Sequence, residues 1–560
     1  RCSATENHIN NKKYAQKRHD TIVDHSKKMG ASLDWSREAF TLDEKREHAV
    51  RIAFKHMYEA GLIYQGNRIV NWDPELQTTV SDDELVYEQT TDALYFFQYG
   101  PFVIATARPE TKFGDKYVVM HPDDERYKKY KHGEQLNLEW INGPITATII
   151  KDSVIDMEFG SGVMTITPWH DVTDFEIAQR HGLEKQQIID YDGKLLPVAG
   201  EFSGMHIDEA RPKIVEKLQS KGLVVKVDHT YTHNIAHNDR GGGRIEPQIK
   251  KQWFIDVHKE FEQDGKNVTL KTLLHDAVSS GDITILPKRF EKTYFHWINN
   301  LRDWCISRQI WYGHQIPVWY RGSEVFCGTQ APKGDGWTQD SDTLDTWFSS
   351  GLWTFSTLGW PEQTNDLQTF HPTDVLETGY DIIFFWVARM ILMTRFLLKK
   401  NPFHHVYLHG LVRDEQGRKM SKSLGNIIDP LDVIDKYGTD AVRLSLMIGS
   451  TPGSDTRLSD EKVAGYRNFS NKLWNIARFI LTTCDFTSRA LEIHKEKLTL
   501  ADTWILHQLA FTQERVTQAI EQYQFSLAGE VLREFTWNQL ADWYLEIAKV
   551  EGTKAPILAH

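Results

Sequence analysis

The spacing of hydrophobic residues predicts that helical and strand-rich segments follow one another along this chain. An apolar face at helical spacing predicts a first helix over residues 36–62, with Thr41 and Glu44 as its capping box and Gly61 ending it. The face consists of Val50, Ile52, Phe54, Met57 and Tyr58. The pattern then changes, and short apolar runs separated by turn residues indicate β-strands from about residue 88 to 230.

This strand-rich segment has the texture of a compact domain. Strands are predicted at residues 95–97, 102–106 and 145–150, where β-branched and aromatic residues cluster between turns. Two helices are predicted within the segment, near residues 172–181 and 207–221. Short strands separated by turns suit a compact β-rich inserted domain.

From about residue 231 to 450, apolar strands alternate with longer helical stretches. This alternation predicts a parallel, doubly wound sheet that binds ligands at the carboxyl ends of its strands. Residues 405–408 are one such strand, and residues 382–398 read as a buried helix. After about residue 455 the periodicity is helical throughout. An aromatic stripe in this last part is predicted to form the core of a bundle: Trp537, Leu540, Trp543 and Tyr544.

Composition limits the possible classes of protein. The 560 residues suffice for several domains, and 40% hydrophobic with 25% charged residues is ordinary for a globular protein. No run of about 18 apolar residues predicts a membrane span, and no apolar signal core opens the chain. The four cysteines are far apart, so we expect neither disulfides nor a cysteine zinc site, and a cytoplasmic location. The net charge of −12 argues only weakly against a nucleic-acid partner, since such a partner needs only local basic surface.

Three histidines at four-residue intervals, His229, His233 and His237, suggest a metal site at first sight. In a helix their imidazoles would align on one face. Residues 230–232, which are Thr, Tyr and Thr, instead favour a strand, in which that spacing does not make a chelate. We therefore predict no metal ligands and no zinc.

The chemically most informative segment is Lys419-Met420-Ser421-Lys422-Ser423, which follows a predicted strand end at residues 409–414. A mobile pair of ammonium groups can close over a triphosphate and neutralise the charge that develops as pyrophosphate leaves. A solvated loop that happens to hold two lysines is the alternative. Other segments of the chain favour the first interpretation.

The lysine segment resembles the KMSKS loop of class I aminoacyl-tRNA synthetases, and four further segments resemble the valyl branch of that family, in the right order. They are DWCISRQ at 303–309, WYGHQIP at 311–317, DTWFSS at 345–350 and TGYDIIFFW at 378–386. The resemblance implies a multidomain α/β fold with a Rossmann-like parallel-sheet catalytic domain, interrupted by a β-rich editing insertion and followed by an α-helical anticodon-binding domain. The implied bounds are 1–87 and 231–454 for the catalytic domain, 88–230 for the insertion and 455–560 for an incomplete anticodon-binding domain.

The resemblance implies a valine–tRNA ligase that uses ATP, with Mg²⁺ expected, to activate valine. Lys419, Ser421 and Lys422 would be catalytic, with Lys422 also on the ATP phosphates. Gly379 and Asp381 would lie under the ribose, and His409 near the adenine or, alternatively, as the cap of a strand end. Trp347 and Ile382 would be walls of the valine pocket, although each is also an ordinary core residue type.

A second, hydrolytic site is expected, because a hydrophobic pocket rejects the nearly isosteric threonine by only about 10². Two segments resemble it, ATARPET at 105–111 and FGSGVMTITPWHD at 159–171. By resemblance the editing residues are Thr106, Arg108, Thr111, Phe159, Asp171 and Asp174. Asp174 would hold the substrate ammonium, Asp171 the threonine hydroxyl, Arg108 a terminal phosphate and Phe159 the adenine. Thr106 and Thr111 would position the ester or the attacking water.

Alternative roles remain open in this hydrolytic site. Asp171 and Asp174 also suit a helix N-cap and a first-turn charge. The chain departs from the family at Thr165, where a lysine is usual, and at Ala107, where a threonine is usual. We expect these departures to affect the rate of editing more than its existence.

The implied partners are the tRNA for valine, valine itself and threonine as the edited amino acid, with no membrane and a monomeric state. The family's His-x-Gly-His motif and C-terminal arm are not found, so we expect weak or no activation of valine by this chain alone. Two other interpretations stay open: a fragment that acts only as a deacylase, and a tRNA-binding module without catalysis. The intact lysine segment argues against the latter.

Overall fold

The computed structural model describes residues 4–158, 160–239, 241–420, 425–484, 493, 495–552 and 554–560, with side chains from residue 13 onward except those of Asp83 and Lys495. The chain divides into two compact units. Unit one comprises Arg1–Ala49, Glu260–Leu301 and Ser349–His560. Unit two comprises Val50–Lys259 and Arg302–Phe348.

The α-helices are α1 (Ala4–Lys28), α2 (Glu44–Glu59), α3 (Val172–Arg180), α4 (Ile207–Ser220), α5 (Leu270–Ser279), α6 (Arg289–Asn299), α7 (Thr346–Ser350), α8 (Trp353–Ser356), α9 (Asn365–Phe370), α10 (Arg389–Leu397), α11 (Pro430–Tyr437), α12 (Thr439–Met447), α13 (Asp460–Thr483), α14 (Leu500–Glu521), α15 (Phe525–Glu534), α16 (Leu545–Glu551) and α17 (Ala555–Ala559). The strands are β1 (Ile63–Asp73), β2 (Thr78–Val80), β3 (Leu85–Tyr99), β4 (Phe102–Thr106), β5 (Tyr117–Met120), β6 (Gln135–Trp140), β7 (Gly143–Lys151), β8 (Val163–Thr165), β9 (Val224–Asn238), β10 (Glu246–Ile255), β11 (Phe261–Gln263), β12 (Lys266–Val268), β13 (Thr284–Leu286), β14 (Trp304–Cys305), β15 (Ser307–Arg308), β16 (Val318–Arg321), β17 (Glu324–Cys327), β18 (Thr338–Gln339), β19 (Thr343–Leu344), β20 (Thr373–Gly379), β21 (Phe403–His409), β22 (Val412–Arg413) and β23 (Thr456–Arg457).

Unit two is built on long antiparallel pairs. Strand β1 pairs with β10, and β3 pairs with β9. A four-stranded sheet in the order β6-β7-β5-β8 covers a core of apolar and aromatic side chains that includes Phe97, Tyr99 and Trp140. The predicted strands at 95–97, 102–106 and 145–150 and both predicted helices are confirmed by β3, β4, β7, α3 and α4. The bounds 88–230 expected for an inserted domain stay a prediction.

Unit one contains a three-stranded parallel sheet in the order β13-β21-β20. Strand β21 buries Phe403, Val406 and Leu408, whereas β20 is polar along most of its length and buries only Thr378 and Gly379 at its carboxyl end. Between β20 and β21 the chain passes through a π-helical segment, Ile383–Ala388, and then α10, which buries Met390, Ile391 and Leu392. The predicted strand at 405–408 and the buried helix at 382–398 are thus confirmed.

The C-terminal part of unit one is helical where it is described, from α13 to α17. Tyr544 is buried and its hydroxyl donates to Asp502 at 2.7 Å, while Lys554 donates to the same carboxylate at 2.7 Å. The prediction of a core position is wrong for Trp543, which is 64% exposed. Residues Phe535–Tyr544 form a π-helical segment, in which more than 3.6 residues complete a turn, so the ordinary helical spacing no longer identifies the buried face.

The first predicted helix begins later than its apolar pattern suggested. Residues Trp35–Arg37 form a 3₁₀ turn, and α2 starts at Glu44. The predicted cap at Thr41 is wrong, because the Asp43 carboxylate accepts a hydrogen bond from the Arg46 amide at 2.9 Å. A short acidic side chain immediately before the helix is a favoured cap. Gly61 follows the helix with a φ of 68°, as its predicted role requires.

The three spaced histidines lie on a strand, as predicted. His229, His233 and His237 belong to β9, and the residues between them pair with β3. At about 3.4 Å per residue, neighbouring histidines of this set are roughly 14 Å apart along the strand, too far to share one ion. Across the described ranges of the chain, no helix is both long and apolar enough to cross a membrane.

Candidate functional sites

The first candidate site lies at the carboxyl ends of two parallel strands in unit one. Gly379 and His409 are the last residues of β20 and β21, and they are directly paired. A side chain on Gly379 would collide with the Asp381 carboxylate and would touch the His409 imidazole at 3.5 Å. The structure therefore brings Gly379, Asp381 and His409 together at the sheet edge where ligands of parallel folds bind. The Asp381 side chain is solvent-facing and can accept hydrogen bonds from a ligand.

The segment after His409 is held against the neighbouring chain by very close backbone packing. A side chain on Gly410 would collide with the Ser454 carbonyl, so this position admits only glycine without movement of the backbone. The Asp455 carboxylate accepts from the Leu411 amide at 2.9 Å and from the Tyr380 hydroxyl at 3.0 Å, and it pairs with Arg413. Asp455 thus links the strand ends to the start of the lysine loop.

The described residues that flank the lysine segment 419–423 are organised around the buried Asp414. Its carboxylate accepts from the Arg418 amide at 2.7 Å and from the Asn426 side-chain amide at 2.9 Å. The hydrogen bond from Asn426 and those from Arg418 lower the pKa of Asp414 to about 2. Asn426 also donates to the Lys419 carbonyl at 3.2 Å, so a hydrogen bond joins the described residues on either side of 421–424.

The predicted catalytic residues of this loop are only partly described. Lys419 is exposed, and its backbone forms a bridge to Arg413. Ser421 and Lys422 lie outside the described residues. Of the predicted valine-pocket residues, Ile382 lies in unit one after β20, and Trp347 lies in unit two at the start of α7. Their joint role stays a prediction.

The second candidate site lies in unit two, where β4 ends and a 3₁₀ turn, Pro109–Gly114, follows. Thr106 accepts a hydrogen bond from the Arg108 amide at 3.0 Å, and the Thr111 hydroxyl donates to the Arg108 carbonyl at 3.0 Å. Both threonines therefore shape the turn that presents Arg108. Their predicted roles on an ester or a water stay predictions.

Arg108 is the centre of a charged network that sequence reasoning did not foresee. Its guanidinium contacts both oxygens of Glu246, at 2.7 and 2.6 Å, and pairs with Glu110 at 3.2 Å. Burial opposes the ionisation of Glu246, but the charge of Arg108 and a hydrogen bond from His170 outweigh it and lower its pKa to about 2. Arg211 pairs with Glu110 at 2.9 Å. In this arrangement Arg108 binds carboxylates of the chain, and its predicted phosphate contact stays a prediction.

The predicted acidic pair lies at the start of α3. Asp171 is the exposed N-cap, and its carboxylate accepts from the Asp174 amide at 3.0 Å, so its alternative role as a cap is confirmed. Asp174 is only 4% exposed. One of its oxygens accepts from the Thr167 amide at 2.7 Å, while the other, Oδ1, is buried with no hydrogen-bond partner within the described chain. Burial and repulsion from Asp171 raise the pKa of Asp174 to about 7. Phe159 lies outside the described residues.

A buried lysine adjoins this pair and was also missed from sequence. Lys112 is 6% exposed, and its ammonium donates to the Thr165 hydroxyl at 3.1 Å and lies 3.4 Å from Asp115. Burial raises the pKa of Asp115 to about 6, and its Oδ2 has no partner among the described groups. A lysine between a proline-led turn and a glycine gives no sequence signal of burial. The one clue in the sequence was Thr165, which stands where the resemblance leads to a lysine.

Comparisons with known proteins define the class. The family model "tRNA synthetases class I (I, L, M and V)" matches residues 2–333 and 326–459, and the model "Anticodon-binding domain of tRNA ligase" matches residues 502–558. The chain belongs to the class I tRNA synthetases of this group, which confirms the resemblance stated from its motifs.

Within that class, the chain is similar to valine–tRNA ligases. It is 47% identical to that of Bacillus licheniformis over 93% of this chain and 59% of the relative, and 46% identical to that of Bacillus subtilis over 96% and 61%. The chain thus spans about three fifths of the length of the curated relatives it matches.

Solved structures confirm the fold at lower identity. The chain is similar to the leucyl enzyme of Agrobacterium radiobacter K84 in a LeuRS–tRNA–LeuAMS ternary complex, with a TM-score of 0.55, 17% identity, and coverage of 98% of this chain and 74% of that one. It is similar to the methionyl-tRNA synthetase of Mycobacterium tuberculosis bound by methionyl-adenylate, with a TM-score of 0.55, 15% identity, and coverage of 97% and 74%. At these identities the likeness extends to the fold alone.

Proposed function

We propose that this chain is the catalytic and editing part of a valine–tRNA ligase, which activates valine with ATP, transfers it to the tRNA for valine and hydrolyses threonine attached to that tRNA. The observation that carries the proposal is the identity of 46–47% to valine–tRNA ligases over more than nine tenths of the chain. The two candidate sites support it, because each has side chains suited to one half of this chemistry.

Activation is an attack of the valine carboxylate on the α-phosphorus of ATP, which enters as its Mg²⁺ complex, with pyrophosphate leaving. The work of the protein is to orient the reactants and to neutralise spreading charge. In the proposal Asp381 accepts the ribose hydroxyls, Gly379 lets the ribose approach the sheet edge, and His409 flanks the adenine. Lys419, with Lys422 and Ser421, closes over the phosphates.

Editing is an ester hydrolysis. Water adds to the ester carbonyl, the bond to the ribose oxygen breaks, and threonine leaves while the terminal hydroxyl of the tRNA regains its proton. The buried carboxylate of Asp174 suits the substrate ammonium, since a buried anion lacking a full set of partners gains from a cation. Thr106, Thr111 and Arg108 shape the adjoining turn, and Phe159 is proposed to pack on the adenine.

Replacing Asp381 tests the activation site. We expect Asp381→Asn to weaken ATP binding about tenfold or more, because hydrogen bonds to a charged acceptor contribute roughly 1.5–3 kcal/mol. The exposed Asp374 on the same strand β20 supplies the control, and Asp374→Asn is expected to leave binding unchanged. Equilibrium dialysis with labelled ATP measures both. Equal affinities of the parent and Asp381→Asn would contradict the assignment.

The parent chain tests the editing half directly. We expect it to release threonine from threonyl-tRNA for valine roughly 100-fold faster than valine from the valyl form, since a site that hydrogen-bonds a hydroxyl rejects the analogue without it. Acid-precipitable label followed over time measures both rates. Equal, uncatalysed rates with bound tRNA would favour the binding-module interpretation.

A further inference from the structure

The buried cluster beside Asp174 contains one cation and two carboxylates. Lys112, Asp115 and Asp174 are 6%, 2% and 4% exposed. Asp115 Oδ2 and Asp174 Oδ1 have no hydrogen-bond partner in the described part of the chain. Buried polar groups are almost always satisfied in native proteins, and leaving a charged one unsatisfied is costly. Two buried carboxylate oxygens of the cluster therefore lack a donor among the described residues, and the two carboxylates share a single positive charge.

The Lys112 ammonium is fixed in place by its surroundings. The backbone carbonyl of Lys112 accepts from the Trp140 indole at 2.8 Å. The Lys112 ammonium reaches Thr165 Oγ1 at 3.1 Å and Asp115 Oδ1 at 3.4 Å. An ammonium has three N–H donors, and these contacts use two of them. Lys112 and Asp115 are also close enough to Asp174 to act on its ionisation in opposite directions.

We propose that Lys112 is a specificity-determining residue of the editing site, whose third N–H donor binds the side-chain hydroxyl of threonine while Asp174 holds the α-ammonium of the same aminoacyl ester. The inference rests on the proposed function and names the group that reads the edited amino acid. The substrate ammonium brings the missing positive charge to Asp174, and the threonine hydroxyl accepts from Lys112. A valyl ester leaves that buried donor without an acceptor. A site built to bind a hydroxyl discriminates strongly against an analogue that lacks it, because the buried donor then stays unpaired.

This assignment differs from the one made from sequence. Asp171, predicted to recognise the hydroxyl, is exposed and caps α3. Thr165, where the resemblance leads to a lysine, instead accepts from Lys112, so the chain delivers an ammonium to the same place from the 3₁₀ turn opposite. The departure at Thr165 is in this way compensated within unit two.

The test compares the ratio of threonyl-tRNA to valyl-tRNA hydrolysis in the parent and in variants. We expect Lys112→Gln and Lys112→Met to lower this ratio by about 10- to 100-fold, the range that corresponds to one lost hydrogen bond from a charged donor. Lys112→Gln keeps N–H donors for Asp115 and Thr165. We therefore expect it to fold, and it provides the test if Lys112→Met does not. Lys112→Met/Thr165→Lys returns an ammonium from β8 and is expected to restore part of the ratio. The exposed Lys116, as Lys116→Gln, is the matched control.

A second measurement separates recognition from hydrolysis. Calorimetry with a 3′-amide analogue of threonyl-adenosine, which water does not cleave, is expected to show weaker binding to Lys112→Gln and unchanged binding to Lys116→Gln. An unchanged ratio and unchanged analogue affinity in a folded Lys112→Gln would overturn the role of Lys112 alone. A parent chain that neither hydrolyses threonyl-tRNA nor binds the analogue would overturn the proposed editing function and this inference with it.

Discussion

Replacing Glu246 by alanine is expected to lower the free energy of unfolding by about 3 kcal/mol, because removing one member of a buried ion pair leaves an uncompensated charge. Glu246 is 3% exposed and holds Arg108 through both carboxylate oxygens. We expect the lower end of the usual range, since Arg108 keeps its contact with Glu110 and its side chain is 26% exposed. Urea unfolding followed by tryptophan fluorescence measures the loss.

An exposed pair in the same unit supplies the control. Glu139 contacts Lys221 at 2.6 Å with its side chain 53% exposed, and Glu139→Ala is expected to cost less than about 1 kcal/mol. A similar cost for both variants would contradict the structural role of the Arg108–Glu246 pair.

The contribution of Glu246 to the free energy of unfolding depends on pH, and the sign of this dependence follows from its pKa. The pKa of Glu246 falls from its ordinary 4.5 to about 2 in the folded chain, so its ionised form stabilises the fold above pH 4.5. That contribution is lost as the pH falls through 2. The stability difference between the parent and Glu246→Gln is therefore expected to be largest near neutral pH and to shrink on acidification.

Sequence patterns predicted the elements of this fold better than the contacts between them. The strands β4, β7 and β21 and the helices α3 and α4 follow from local periodicity, which depends only on neighbouring residues. The start of α2 and the exposure of Trp543 did not follow, because a cap one residue from the helix and a π-helical segment break the regular pattern. Local rules fail where a single hydrogen bond or an added residue decides the geometry.

The candidate sites divide in the same way. Gly379, Asp381 and His409 were assigned from the resemblance alone, and the pairing of β20 with β21 brings them to one edge of the sheet. Asp171 was predictable as a cap from its position before α3. The pairing of Arg108 with Glu246, 138 positions away, was not, because it depends on how β10 packs beside the 3₁₀ turn.

Replacing Asp174 by asparagine is expected to slow the proposed editing reaction strongly and to stabilise the fold at the same time. Hydrolysis of threonyl-tRNA is expected to fall by about 100-fold, since the neutral amide no longer attracts the substrate ammonium and one hydrogen bond to a charged group contributes up to about 3 kcal/mol. The free energy of unfolding is expected to rise because the buried carboxylate is costly to ionise and the amide carries no charge. Functional sites commonly contain groups that lower stability in this way.

The stability gain of Asp174→Asn depends on pH in a way that identifies its cause. Because folding raises the pKa of Asp174 from 3.8 to about 7, the parent loses stability as the pH rises from about 4 to 7, while the variant does not. Thermal unfolding is expected to show a gain on the order of 2–4 kcal/mol at pH 8 that disappears at pH 4. Glu176→Gln, exposed on the same helix, is the control and should change neither stability nor hydrolysis. If Asp174→Asn lost hydrolysis without the pH-dependent gain in stability, Asp174 would be ionised at little cost in the folded chain. Its contribution to hydrolysis would then come from its position and not from a carboxylate that is costly to ionise.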